Sequence, residues 1–390
     1  MASRARRIML VVGEASGDMH GAGVVRAIHE RDPAVEIFGI GGEQLGKTRF
    51  EALENAERLA GMGLVELAGK LGSIWAALRA ARQALRRRRP DLLLLIDFPE
   101  FNLRLARLAK KLGIPVLYYI APQVWAWRKG RARKIARLVD AMAVVFPFEV
   151  GLYGVHGANV SFVGHPLLDL VEAKKERATV LESMGLDPET PTIGLMPGSR
   201  RNEVDYHLPV FLEAAARYRS EREVQFFCVR ATTVERPRLD ELLGRCPLRV
   251  PVVEEERYEA LNAADLVWAA SGTATLEAAL LLKPTVIVYR LAWPTYWLAR
   301  LLVDVEHVGL VNIVAGERVA PELIQGQLTP EALVRESRRF LDDPQVRRST
   351  IEKLRGLKAK LGAPGAARRV AGLAFELMEP ARGRGEAFAT

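Results

Sequence analysis

The chain has 390 residues, 49% of them apolar, a formal charge of +9 and two cysteines. That is enough apolar material for two cores of ordinary size. Neither Cys228 nor Cys246 belongs to a CxxC or Cys/His cluster, which excludes a disulfide scaffold and a structural zinc and reads as a reduced cytosolic protein.

The N-terminus is basic, but the apolar run behind it covers only 8–12, too short for a signal peptide or a membrane span, and no later run reaches the necessary length either. From there, short β-rich runs alternate with longer helical patterns, which predicts βαβ units and mostly parallel sheets. Strands are expected at 8–12, 37–40, 92–96, 116–120 and 143–146, then at 192–196, 224–229, 248–252, 266–269 and 285–289. The fold expected is α/β, two doubly wound Rossmann-like domains facing each other across a cleft, with a helical C-terminal segment. The first domain is expected at 1–167, the second at 168–330, helices that pack back on the first domain at 331–378, and a flexible tail at 379–390. Between the second and third strands, Leu64, Leu67, Ala68, Leu71, Ile74, Trp75 and Leu78 recur at helical spacing, with Glu66 and Lys70 opposite. Such a stripe is usually core packing, though an apolar surface would give the same pattern.

Basic residues cluster at 86–89, 128–134, 338–339, 347–348 and 368–369, which points to an anionic partner: nucleic acid, an acidic membrane or a phosphorylated substrate. The aromatic residues gather at strand ends instead of interleaving with the arginine runs, so nucleic acid is not expected. In open parallel sheets ligands bind beyond the carboxyl ends of the strands. The first strand ends in GEASGD at 13–18, which lacks both the GxGxxG spacing and the P-loop lysine. The third ends in DFPEFN at 97–102, an acid set at the mouth of the sheet, and the fourth runs into APQVWAWR at 121–128. Asp97 is the candidate general base, because desolvation at the end of a buried strand can raise its pKa towards the working range. It could equally cap the helix that begins near Pro99, and Glu14 and Asp18 are rival bases.

Two junctions in the second half suit a nucleotide diphosphate. At one, an apolar strand runs into Ser271, Gly272 and Thr273 and then a helix, whose first amides and dipole attract phosphate. Glu277, one turn on, could reach sugar hydroxyls. At the other, Gly198, Ser199 and Arg200 repeat the layout with a guanidinium. Helix capping by Ser and Thr would leave the same sequence signal. Asn312 could read a uracil edge or simply make a turn. Asp304 and Glu306 do not form a convincing DxD motif, so no metal and no cofactor are expected.

Taken in order, GEASGD at 13–18, LAGMGLVELAGKL at 59–71, IDFPEFN at 96–102, APQVWAWR at 121–128, FPFE at 146–149, FVGHPL at 162–167, MPGSRRNEV at 196–204, ASGTATLEAAL at 270–280 and VNIVAG at 311–316 resemble the lipid-A-disaccharide synthase family. These are inverting glycosyltransferases of the two-Rossmann-domain, GT-B type. The resemblance implies transfer of 2,3-diacylglucosamine from its UDP conjugate to the 6-hydroxyl of 2,3-diacylglucosamine 1-phosphate (lipid X), giving the β-1,6-linked disaccharide and UDP. It also implies metal independence and a peripheral place at the cytosolic face of the inner membrane. Substrate contacts are expected from Glu14 and Ser16, from Trp125 and Arg128, and from the two junctions above. Leu64, Val65, Leu67 and Leu71 are expected to face acyl chains or the membrane, and a homodimer is left open. Another UDP-sugar enzyme of this fold, an epimerase or a transferase with a polyprenyl-linked acceptor, would keep the phosphate socket but need not match 13–18 and 121–128.

Overall fold

The computed structural model describes residues 5–13, 15–55, 67–122, 129–292 and 306–379. It divides into two compact units, Met1–Pro166 with Ala363–Thr390, and Leu167–Gly362.

The first unit is built on seven parallel strands: β1 (Arg7–Val11), β2 (Glu36–Gly41), β3 (Glu51–Asn55), β4 (Leu92–Ile96), β5 (Val116–Tyr119), β6 (Ala141–Val144) and β7 (Val160–Phe162), in the order β3-β2-β1-β4-β5-β6-β7. β4 reads Leu-Leu-Leu-Leu-Ile and every residue of it is buried, as expected for a parallel sheet covered by helices on both faces. The chain winds outward from β1 in both directions, so the switch point lies between β1 and β4.

The second unit repeats the plan with β8 (Thr192–Met196), β9 (Gln225–Val229), β10 (Val252–Val253), β11 (Leu266–Ala270), β12 (Thr285–Tyr289) and β13 (Glu322–Ile324), ordered β10-β9-β8-β11-β12-β13. Its switch point falls between β8 and β11, which pair in parallel with Ala269 beside Met196. Trp268 of β11 anchors the core on one face, its ring 5.7 Å from Phe211 and 5.6 Å from Phe226.

The helices after 330 differ from the sequence expectation. Pro330–Leu341 and Pro344–Lys360 group with the second unit, and only Ala366–Met378 lies with the first. The reason is apolar: Leu333, Val334 and Phe340 belong to the core around Trp268, and the Trp268 indole donates to Ser337 Oγ at 2.8 Å. Ala366–Met378 packs along the helix Ala15–Arg31, with the Arg31 guanidinium 4.7 Å from the Phe375 ring centre.

Candidate active site

At the first switch point, β4 ends in Asp97 and Phe98, both in the left-handed region at φ 48°, and the helix Pro99–Lys111 follows. Two consecutive non-glycine residues there store strain of about 1–3 kcal/mol each. Contacts on every side hold the turn. The Asp97 carbonyl accepts from Asn102 Nδ2 at 2.7 Å and from the Tyr118 hydroxyl at 2.5 Å, and Asn102 Nδ2 also reaches the Ile96 carbonyl at 3.2 Å. Phe98 stacks on Phe101 with ring centres 5.2 Å apart. Gly13, at the end of β1, must lack a side chain, because a Cβ there would lie 2.1 Å from Phe98 Cγ. Asp97 itself is half-buried, and Phe98, not Asp97, occupies the helix N-cap position. Burial, and next the Asp97 charge, push the Tyr118 hydroxyl far above the usual tyrosine range, so it stays a donor.

Ser16 is half-buried in the first turn of Ala15–Arg31. Asp18, a rival base from sequence, is committed elsewhere: its carboxylate accepts from the amides of Gly42 (2.6 Å), Gln44 (2.7 Å) and Leu45 (3.3 Å), which caps the short helix Glu43–Gly46. Deeper in the same unit, burial lowers the pKa of His20 to about 4, and burial with the neighbouring His20 lowers that of His165 to about 3.

At the second switch point, β11 passes through Ser271 to Gly272, whose φ of 144° and ψ of −159° only glycine adopts without strain, and the helix Thr273–Leu280 begins. Ser271 is anchored by its amide to the Val288 carbonyl at 2.8 Å and by its hydroxyl to the Val308 carbonyl at 3.1 Å. Among the described residues, the amides of Gly272, Thr273 and Ala274 have no recorded partner. A helix N-terminus of this kind offers donors and positive potential to an anion. The neighbouring junction after β8 is different. The Glu203 carboxylate accepts from the amides of Ser199 (2.9 Å) and Arg200 (3.3 Å), so the amides beside Gly198 are already paired, while the Arg200 side chain is 66% exposed. What this turn presents outward is a cation.

Glu277 is buried and paired with Arg257 Nη2 at 2.9 Å and the Tyr258 hydroxyl at 3.4 Å; burial raises its pKa, against the pull of Arg257. Arg257 and Tyr258 were not legible from sequence, since they precede β11 by a helix and carry no motif. Asn312 is fully buried. Its Nδ2 donates to the Ala320 carbonyl and to Glu322 Oε1, both at 2.8 Å, and its Oδ1 accepts from the amides of Val319 (2.8 Å) and Ala320 (2.9 Å). No capacity is left for a uracil, and the base-reading expectation gives way to a structural one.

Glu14, Leu64, Val65, Trp125 and Arg128 lie outside the described residues, as do Asp304 and Val305. Leu67 and Leu71 fall in the helix Leu67–Arg88, but their side chains lie outside the described set too. Further along that helix the stripe divides: Leu78 is buried, whereas Trp75 is 57% exposed with the Arg104 guanidinium 5.4 Å from its ring centre.

Two doubly wound parallel sheets with a returning C-terminal helix form the architecture of two-domain glycosyltransferases. The glycosyltransferase of kitacinnamycin superposes with a TM-score of 0.66 at 17% identity, covering 97% of this chain and 100% of its own, and the calicheamicin glycosyltransferase with 0.63 at 17%, covering 96% and 99%. A UDP-GlcNAc 2-epimerase from Neisseria meningitidis shares the fold at 0.62 and 12% identity over 95% of this chain and 98% of that one. The family model described as lipid-A-disaccharide synthetase matches residues 8–364. The lipid-A-disaccharide synthase of Syntrophus aciditrophicus is 46% identical over 95% of this chain and 98% of its own, and that of Geobacter sulfurreducens 45% identical over 95% and 97%. The chain belongs to the lipid-A-disaccharide synthetase family, and is a glycosyltransferase of lipid A biosynthesis.

Proposed function

We infer that this chain condenses UDP-2,3-diacylglucosamine with 2,3-diacylglucosamine 1-phosphate, releasing UDP and the β-1,6-linked disaccharide 1-phosphate. The observation that carries the assignment of residues is topological: Asp97 and the Thr273–Leu280 helix N-terminus each stand at the switch point of their own sheet, where open α/β sheets bind ligands. Asp97 takes the proton of the acceptor 6-hydroxyl as its oxygen attacks the sugar C1 of the donor with inversion. The bond from C1 to the β-phosphate oxygen breaks, and the electron pair leaves with UDP. The amides of Gly272 to Ala274 and the Arg200 guanidinium meet the charge that develops on the diphosphate, a role that fixed donors and a cation can fill without a metal ion. Glu277 holds Arg257 and Tyr258 through Oε1, and its carboxylate contacts the hydroxyls of the donor sugar. Ser16, in the first turn of Ala15–Arg31, is assigned to the acceptor.

Membrane association belongs to the same reading. Among the described residues no helix is long and apolar enough to cross a bilayer. The helix Leu67–Arg88 instead carries an exposed Trp75 and ends in Arg86, Arg87 and Arg88, a pattern suited to the surface of an anionic membrane at the cytosolic face.

Calorimetric titration of UDP tests the donor site. Arg200→Ala, and Thr273→Pro, which deletes one amide at a position where proline fits a helix, should each weaken UDP about ten- to a hundredfold. Thr273→Ala keeps the amide and should bind nearly as the wild type. Unchanged affinity in both Arg200→Ala and Thr273→Pro would remove the donor from this junction.

A further inference from the structure

We propose that Asn102 and Tyr118 are positioning residues for the Asp97 carboxylate, holding the end of β4 in the left-handed conformation from which that carboxylate is presented. The proposal rests on Asp97 being the base. Both side chains clamp backbone carbonyls. Tyr118 reaches across from β5, where it pairs in register with Leu95, and donates to the Asp97 carbonyl at 2.5 Å. Asn102 reaches back from the first turn of Pro99–Lys111, anchored by its own amide to the Phe98 carbonyl at 3.0 Å, and bridges the carbonyls of Ile96 and Asp97. The two thus fix both sides of the strained peptide pair at φ 48°.

Two features separate this clamp from ordinary core packing. Asn102 is fully buried, yet among the described residues its Oδ1 has no hydrogen-bond partner. A leucine has the same branching and would strand no oxygen, so the amide stands there for its two donated bonds. Part of the strain also sits at Asp97, the residue assigned the proton transfer. A left-handed residue sends its Cα–Cβ bond in a different direction from an extended one, so releasing the carbonyls lets Asp97 relax and re-aims its carboxylate. Phe98, wedged above Gly13 and stacked on Phe101, limits how far the turn can move.

The test is a double-mutant cycle on turnover. Tyr118→Phe and Asn102→Ala are made in the wild type and in Asp97→Asn, with kcat, UDP affinity and thermal unfolding measured for each. In the wild type each variant is expected to lower kcat about ten- to a hundredfold while UDP affinity stays within about twofold, because a small misplacement of a reacting group is enough. In the Asp97→Asn background the same substitutions are expected to change turnover less than about twofold, since the group they aim is gone. Equal fractional losses in both backgrounds would assign the pair to general packing, and unchanged kcat in the wild type would leave them no role; either overturns the proposal. Tyr118→Phe keeps the ring and carries the test alone if Asn102→Ala does not fold. An Asp97→Asn enzyme with full turnover would instead overturn the base assignment, and the proposal with it.

Discussion

Asn312 spends its entire hydrogen-bonding capacity on the chain that follows it, tying the helix Leu310–Ala315 to residues 319–322, while Glu322 accepts from the amides of Val308 (3.0 Å) and Gly309 (2.9 Å) at the start of that helix. Removing it strands buried donors and acceptors at roughly 1–3 kcal/mol each. Asn312→Ala should therefore lower the unfolding free energy measured by chemical denaturation by roughly several kcal/mol, while protein kept folded binds UDP normally in calorimetry. A large loss of UDP affinity with unchanged stability would return Asn312 to the ligand. The buried histidines set a second expectation. His20 and His165 have folded pKa values near 4 and 3 against an ordinary 6.5, so the unfolded chain binds protons that the folded one refuses. Above pH 6.5 they contribute no difference. Below it, folding stability falls by about 1.4 kcal/mol per pH unit for each histidine, down to the folded value. Urea midpoints between pH 7 and 5 should show this decline in the wild type and a smaller one in His20→Gln or His165→Gln. A pH slope unchanged in both variants would place the acid lability elsewhere.

Among the elements, the helix Leu67–Arg88 separates two consequences of one periodic stripe. Leu78 is buried and Leu78→Ala should cost about 2–5 kcal/mol. Trp75 is largely exposed, and Trp75→Ala should leave the melting temperature nearly unchanged while weakening sedimentation with anionic vesicles, an attraction that also fades with salt. Undiminished vesicle binding by Trp75→Ala would detach this helix from the membrane. Legibility followed burial. The strands 92–96, 192–196 and 285–289, buried throughout except at Tyr289, match their expected ends, because short, mostly apolar and β-branched runs bounded by charge, proline or turn residues have few other uses. Three edge strands, β3, β7 and β13, went unread: they are three to five residues long and partly exposed, so they carry no such run. β6 was expected at 143–146 and lies at Ala141–Val144, since six apolar residues in a row give no phase to fix its start. β10 was expected at 248–252 and is only Val252–Val253. At the site, motif residues were readable as strand ends, whereas Tyr118, Arg257 and Glu203 act through partners distant in sequence or within a turn, and single-sequence patterns do not pair them.

For the molecule as a whole, both units obey one rule. Each sheet is wound in both directions from its first strand, and each switch point carries a loop whose geometry departs from the ordinary: two left-handed residues after β4 in one, a glycine-only turn and open helix amides after β11 in the other. Strain and unpaired donors are what a fold gathers where it handles ligands. The family supplies the reaction, and the mechanism we propose assigns proton removal to the first of these places and leaving-group stabilisation to the second. The most direct test is the turnover of Asp97→Asn, followed by mass spectrometry of the disaccharide formed from UDP-2,3-diacylglucosamine and its 1-phosphate acceptor. Loss of a general base should lower kcat about a hundred- to ten-thousandfold with UDP affinity unchanged. Turnover within a fewfold of the wild type would contradict the placement of the chemistry at the first switch point.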